Sequence, residues 1–149
     1  MVETLERAIK PSDLKNPMKL KHLGIAVPDI ERAIKEYEVL FGYSLLSGPF
    51  DDRQQQAKVC FVGREGGDQV VFELIAPLSA ESHVNRLISK GTGAYHACFE
   101  VDDIGGALRH MRSQGCLIVA DPAPAVAFDG RRIAWLFTPT KLLIELVEQ

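Results

Sequence analysis

Long hydrophobic runs are missing from this sequence of 149 residues. No apolar stretch approaches the ~20 residues that a membrane-spanning helix requires. Residues 1–20 are rich in charge and lack the apolar core of a signal peptide. We therefore expect a cytoplasmic protein whose partners do not include a membrane.

Cysteine is scarce. The three cysteines, Cys60, Cys98 and Cys116, are odd in number, widely spaced and placed within apolar stretches. This spacing matches neither a disulfide framework nor a Cys-X-X-Cys metal site. We interpret all three as reduced thiols, as expected for a protein of the cytoplasm.

An excess of one charge is also lacking, since 17 Lys and Arg stand against 20 Asp and Glu, for a formal net charge of −3. The two signs are mixed along the chain, which disfavours a nucleic acid as partner and leaves a small molecule as the expectation. A chain of this length fits one domain that buries about 70% of its unfolded surface. Because folding needs no metal, any bound metal is expected to be functional.

The pattern of apolar residues predicts an N-terminal extension, residues 1–17, and a single domain, residues 18–149. The domain begins with a strand from Leu20 to Val27, and Asp29 is placed to cap the helix that follows. Three further strands complete a first βαβββ module over about residues 19–77.

The connections of this module are also predicted. Its second strand is short, residues 43–46, and a polar loop rich in turn-forming residues follows over residues 48–56. A linker with one helical stretch, residues 81–89, then leads to the second half of the chain.

The second half repeats the first. Five residue types recur in register at a constant offset in the segments that begin at His22 and His96, and the ends of the two halves match around Glu73 and Glu145. A repeat of this length predicts a second module over about residues 93–148. The fold class is therefore α+β, with two tandem βαβββ modules that form a curled mixed sheet around a cleft.

Two histidines occupy equivalent positions at the start of each module. Strand side chains alternate between faces, so His22 shares its face with Gly24 and Ala26, while the branched residues between them point to the core. His96 has the same setting in the second module. Each imidazole is therefore expected to face the cleft.

Two glutamates lie in the middle of strongly apolar strands. Glu73 and Glu145 each share a face with branched aliphatic residues, where an unpaired buried carboxylate would cost several kcal/mol. Taken singly, each of the four residues reads as an ordinary strand or interior residue, but their shared symmetry indicates a metal site made of His22, Glu73, His96 and Glu145. Two imidazoles and two carboxylates suit one divalent ion, Co²⁺, Ni²⁺, Zn²⁺, Mn²⁺ or Fe²⁺.

The chain resembles the vicinal oxygen chelate superfamily, which includes glyoxalase I, extradiol dioxygenases, resistance proteins and methylmalonyl-CoA epimerase. The resemblance covers nearly everything from Met18 onward and is strongest to the epimerases. Its motifs are His22-Leu-Gly-Ile-Ala-Val-Pro-Asp29, Glu73-Leu-Ile-Ala-Pro-Leu78, His96-Ala-Cys-Phe-Glu-Val-Asp-Asp103, Gly130-Arg-Arg-Ile-Ala-Trp-Leu136 and Ile144-Glu145-Leu146.

This resemblance implies a metal-dependent epimerase or isomerase that moves a proton α to a carbonyl through a metal-stabilised enolate. The implied substrate is an acyl-CoA or another acyl thioester. Members of the superfamily often pair, so a homodimer is implied as well.

One position departs from the epimerase pattern. Epimerases carry a catalytic Glu just before the third strand of the first module, and an ungapped alignment places Gln54 there, which takes up no proton. Tyr95 also stands where epimerases usually have another His, directly before the predicted ligand His96. The metal-shell carboxylates, Glu145 and Glu73, are then the predicted catalytic groups.

Two alternatives remain open. A glyoxalase I-like lyase, or another metalloenzyme of the superfamily, uses a ligand Glu as base and needs no Glu at position 54. A ring-cleaving dioxygenase would need one Glu to leave the coordination shell. The other alternative is a non-catalytic protein that binds a small molecule in the cleft, as resistance proteins do.

Overall fold

The computed structural model describes residues 17–67 and 69–149. Within them the chain forms eight strands, three α-helices and one short 3-10 turn. In chain order these are β1 Lys19–Ala26, α1 Ile30–Phe41, β2 Ser44–Asp52, β3 Ala57–Gly63, β4 Val71–Pro77, α2 Val84–Ser89, β5 Ala94–Val101, α3 Ile104–Ser113, β6 Leu117–Pro124, the turn Val126–Phe128, β7 Arg132–Phe137 and β8 Leu143–Glu148.

All eight strands belong to one mixed sheet with the order β2-β3-β4-β1-β5-β8-β7-β6. Each module places its first strand parallel to its last, β1 beside β4 and β5 beside β8. The two modules join where β1 runs antiparallel to β5. The predicted α+β fold with two βαβββ modules is confirmed, and β1, β4, β5 and β8 form the centre of the sheet.

The sheet is strongly curled, although it does not close. Its two edge strands, β2 and β6, would lie about 34 Å apart in a flat sheet with a strand spacing of about 4.8 Å. Residues of both edges, Asp52 and Ala123, nevertheless line one cavity. The curl therefore gives the sheet a concave face, as the repeat predicts.

The convex face carries α1 and α3 with two apolar cores, whereas α2 packs against the concave face through Val84. One core packs Ile104, Leu108 and their neighbours from α3 against the second module, and the other packs Ile30 and Ala33 from α1 against the first. Asp29 caps α1 by accepting a hydrogen bond from the Arg32 N–H, and Asp103 caps α3 by accepting one from the Gly106 N–H. The first helix thus begins where the sequence predicts, and Asp103, the equivalent of Asp29 in the repeat, caps α3 in the same way.

The second strand differs from the prediction. It does not end at Leu46 but continues to Asp52, because residues 50–52 pair with residues 57–59 of β3 after two shifts of register. The predicted polar loop is reduced to a tight turn over residues 53–56. The helix predicted over residues 81–89 begins later, at Val84.

Three other predictions concern the buried face of α1, the N-terminal extension and membrane-spanning helices. The spacing of apolar residues along α1 predicts that Leu40 and Phe41 share its buried face, but the two side chains are 63% and 57% exposed. The extension, residues 1–17, lies outside the described residues except for Pro17, so the domain boundary stays a prediction. None of the helices in the described part of the chain is long and apolar enough to cross a membrane.

Candidate metal centre and active site

The four predicted metal-site residues meet on the concave face, in the middle of the sheet. His22 lies on β1, Glu73 on β4, His96 on β5 and Glu145 on β8, so each module supplies one imidazole and one carboxylate. The register of the strands brings His22 and Glu145 together. His22 on β1 lies opposite Cys98 on β5, and Cys98 in turn lies opposite Glu145 on β8. All four side chains are buried, and their donor atoms lie within 4.8 Å of one another.

The spacing of the donor atoms fits one ion. The His22 Nε2 atom is 3.1 Å from His96 Nε2 and 3.1 Å from Glu145 Oε1. The other contacts are longer, with Glu73 oxygens 3.7 Å from His22 Nε2 and 3.6 Å from His96 Nε2. When two donor atoms each lie about 2.1 Å from the same ion, they are about 3 Å apart if their bonds meet at a right angle. They are about 4.2 Å apart if they lie on opposite sides of the ion.

The hydrogen bonds of the cluster are incomplete, and a cation would complete them. Glu145 Oε1 is buried and makes no hydrogen bond within the described residues, despite its close approach to His22. A buried acceptor without a partner costs about 1–3 kcal/mol. Because both Nε2 atoms and both carboxylates converge, a divalent ion at their centre would bind the orphaned oxygen.

Burial also sets the protonation states. Burial, and then the charge of Glu145, raises the pKa of Glu73 to about 8, and burial raises the pKa of Glu145 to about 8. Burial lowers the pKa of His22, and it lowers the pKa of His96 to about 3. Both imidazoles are therefore neutral, as metal ligands must be, and a bound cation would displace protons from the carboxyls.

Aromatic rings hold the two imidazoles in place. Phe61 and Phe128 pack against His22 with ring centroids 5.4 and 5.9 Å away. Trp135 packs against His96 at 4.9 Å. The Nδ1 atoms of both histidines are buried without a hydrogen-bond partner in the described part of the chain. Packing against aromatic rings therefore orients the two imidazoles. In most metal sites a hydrogen bond from the second ring nitrogen to a carboxylate or carbonyl has this role.

Sequence reasoning found part of this aromatic packing. The spacing of Trp135 and Phe61 favours core positions, but Trp135 is only half-buried and borders the site. No sequence pattern indicates a position for Phe128 in the core or at the site. It lies in the stretch from Pro122 to Gly130, which is a candidate rim of the cleft by its loop chemistry alone, and it does line the cavity next to the four residues.

A narrow cavity opens directly beside the four residues. Besides Glu73 and Glu145, its polar lining comes from Asp52, Gln55 and Tyr95. Burial, and then the charges of the two glutamates, raises the pKa of the Tyr95 phenol, which stays neutral. Gln54 is not among the residues that line this cavity, since its side chain is exposed and borders a neighbouring cavity that Asp52 and Gln55 also line.

A second, larger cavity of ≈ 380 Å³ adjoins the first through the shared Gln55 and Tyr95. Most of its wall is apolar. The apolar lining residues are Leu87, Val119, Ala120, Trp135, Phe137 and Leu143. The concave face thus combines a polar cluster at its floor with an apolar compartment beside it.

Comparison with known proteins gives consistent results. The family model described as Glyoxalase/Bleomycin resistance protein/Dioxygenase superfamily matches residues 21–135. A mitochondrial methylmalonyl-CoA epimerase of Dictyostelium discoideum is 29% identical over 135 residues, which is 88% of this chain and 78% of the relative. An ethylmalonyl-CoA/methylmalonyl-CoA epimerase of Cereibacter sphaeroides is 28% identical over 120 residues, which is 79% of this chain and 87% of the relative.

A solved structure shows the same fold. The crystal structure of methylmalonyl-CoA epimerase from Mycobacterium tuberculosis superposes with a TM-score of 0.75 at 30% sequence identity. The match covers 87% of this chain and 86% of that chain. The similarity therefore extends over most of both molecules.

Proposed function

Since the chain belongs to the glyoxalase/bleomycin resistance protein/dioxygenase superfamily, we propose that it is a metal-dependent epimerase or isomerase of acyl thioesters. The reaction moves a proton at the carbon α to a carbonyl. One observation carries the proposal: a buried His, Glu, His, Glu cluster lies on the concave face of the sheet, beside a narrow cavity. Such a cluster has the donor set of a catalytic divalent site.

In the proposed site His22, Glu73, His96 and Glu145 hold one divalent ion, Co²⁺, Ni²⁺, Zn²⁺, Mn²⁺ or Fe²⁺. When bound, the ion supplies a Lewis acid that stabilises negative charge on two substrate oxygens as the α-proton leaves. The chain itself positions the substrate and excludes water. Glu145 or Glu73 would exchange a proton with the α-carbon on the side where the cluster meets the cavity.

The names of the relatives support an acyl thioester as substrate. The curated relatives reported above are epimerases of methylmalonyl-CoA and, in one case, also of ethylmalonyl-CoA. In this chain the apolar compartment beside the cluster offers Leu143, Val119 and Trp135 to an acyl substituent. The narrow polar cavity that adjoins this compartment would then mark the side from which the reacting carbon approaches the four residues.

A glyoxalase-like lyase is the second candidate, and Gln54 is the observation that favours it. This reaction also removes a proton from a carbon next to a carbonyl, but it can use a ligand Glu as its base and it requires a thiol adduct as substrate. Thiol dependence therefore separates the two candidates. A protein that only binds its ligand would exchange no proton.

The first test counts metal in the purified protein and in the variants His22→Ala and Glu145→Ala. We expect about one ion per chain in the wild type and loss of the ion in both variants, because each removes a donor from the convergent set. His83→Ala is the matched control, since His83 is exposed and lies outside the cluster. Absence of metal even after incubation with Co²⁺, Ni²⁺ or Zn²⁺ would refute the enzyme proposal.

The second test follows proton exchange. The metal-loaded protein is incubated in D₂O with methylmalonyl-CoA, ethylmalonyl-CoA and a hemithioacetal, and deuterium at the α-carbon is measured by NMR. Exchange into an acyl thioester without added thiol supports the epimerase. Exchange that needs the thiol adduct favours the lyase, and no exchange with any substrate leaves a binding protein.

A further inference from the structure

The epimerase proposed above needs proton-transfer groups on both faces of the α-carbon, and the metal cluster accounts for one face. A base must lie within hydrogen-bond reach of the proton that it takes. In the cavity beside the cluster the titratable groups are Asp52, Glu73, Tyr95 and Glu145. The two glutamates belong to the cluster and serve the first face, and the Tyr95 phenol stays neutral, so one carboxylate remains for the second face.

That carboxylate, Asp52, reaches the cavity because of the way β2 ends. Asp52 is the last residue of the strand and pairs with Ala57 across the tight turn. Its neighbour Asp51 points to the other face of the strand, where it lies 3.8 Å from the Lys58 ammonium group. The alternation of strand side chains thus sends one aspartate into the cleft and the other away from it.

The Asp52 side chain is also fixed in place. Its Oδ1 atom accepts a hydrogen bond of 3.0 Å from the backbone N–H of Gln55, which closes the turn. The carboxylate is half-buried. Asp52 lines the same narrow cavity as Glu73 and Glu145, so its carboxylate faces the space beside the cluster.

We propose that Asp52 is the second proton-transfer residue of this site and stands in for the carboxylate that Gln54 lacks. The inference rests on the proposed epimerase function. For one epimer of the substrate, the α C–H bond breaks, the proton passes to the Asp52 carboxylate and the electron pair moves into the carbonyl group. A proton delivered from the opposite face gives the other epimer, so no oxidant or further reactant is required.

The test uses the full chain with Asp52→Asn, and Asp51→Asn as the matched control. An Asn at position 52 still accepts the Gln55 hydrogen bond, so the turn is kept while basicity is lost. Both variants are expected to keep about one metal ion per chain. Deuterium exchange is then measured separately on each epimer of methylmalonyl-CoA.

Loss of one base has a signature that a structural defect lacks. In Asp52→Asn one epimer should lose exchange by about 100-fold or more. The other epimer should keep exchanging with retention, because the opposite base still works. Asp51→Asn should resemble the wild type. Equal slowing of both epimers, or no slowing, would overturn the assignment.

Two further variants locate the base. Asp52→Ala leaves a gap, and added formate should restore part of the exchange if a carboxylate is what is missing. Gln54→Glu placed in the Asp52→Asn background should restore nothing, because Gln54, unlike Asp52, does not line the cavity beside the cluster. Restoration by that change would put the base at position 54 instead. If the wild type exchanges neither epimer, the epimerase proposal fails together with this one.

Discussion

At the scale of single residues, the site depends on the absence of a side chain at Gly24. This glycine lies on β1 directly across from His96 on β5. A Cβ atom at position 24 would overlap with the imidazole ring of His96. The smallest residue is thus required where the ring of one strand lies over the backbone of its neighbour.

Replacement of Gly24 by Ala is expected to displace His96 and to abolish metal binding at the proposed site. Overpacking of this kind costs about 1–3 kcal/mol of unfolding free energy. Metal content and denaturant unfolding check both effects. Gly93→Ala is the control, because a Cβ there meets open space and the backbone needs no positive φ. Unchanged metal content in Gly24→Ala would contradict this account of the ring.

At the scale of secondary structure elements, a carboxylate on β8 fixes the start of α3. Glu148 accepts a hydrogen bond of 2.9 Å from the backbone N–H of Ile104, the first residue of the helix. Arg132 on β7 donates to the same carboxylate at 3.1 Å. The bond from Ile104 and those from Arg132 lower the pKa of Glu148 below its ordinary value.

This arrangement predicts a pH dependence of stability. Because the pKa of Glu148 is lowered in the folded state, its contribution is complete above about pH 4.5. The contribution is lost as the pH falls through the folded-state pKa. We therefore expect Glu148→Gln to be less stable than the wild type at neutral pH, with a difference that shrinks in acid.

Urea unfolding from pH 7 to pH 3 checks this prediction. Glu65→Gln is the control, since Glu65 is an exposed glutamate in the turn between β3 and β4. A difference between wild type and Glu148→Gln that stays constant over the whole range would contradict the assigned role.

At the scale of the whole molecule, the proposed ion would connect the two modules. His22 and Glu73 come from the first module, His96 and Glu145 from the second, and the seam between β1 and β5 runs through the cluster. The unfolded chain does not hold these four donors together. Metal binding would therefore add to the stability of the complete domain.

Addition of Co²⁺ at 100 times its dissociation constant should raise the unfolding free energy by about 2.7 kcal/mol. His96→Ala should gain far less, because one donor of the second module is missing. Unfolding with and without a chelator measures the effect, and His83→Ala should behave as the wild type. Stabilisation of His96→Ala by the full amount would show that the ion binds elsewhere.

The strands and the positions of the four clustered residues could largely be predicted from the sequence. Strand side chains alternate, so the placement of His22 and Glu73 among apolar residues shows which face they occupy. The internal repeat gives the equivalent residues of the second module. Asp29 and Asp103 mark the helix starts because capping is a local interaction.

Other features depended on contacts between distant segments. Residues 48–52 have the composition of a loop, yet they join β2 because pairing with β3 satisfies their backbone groups and outweighs local preference. Phe128 reaches His22 through the curl of the sheet.

The sequence by itself determined the two-module fold and the identity of the four convergent residues, because alternation and repetition are local properties of the chain. Tertiary structure alone decided what surrounds them. The extension of β2 carries Asp52 into the cavity and leaves Gln54 outside it. Whether residue 52 or residue 54 faces the cavity is set by long-range strand pairing, which no local pattern encodes.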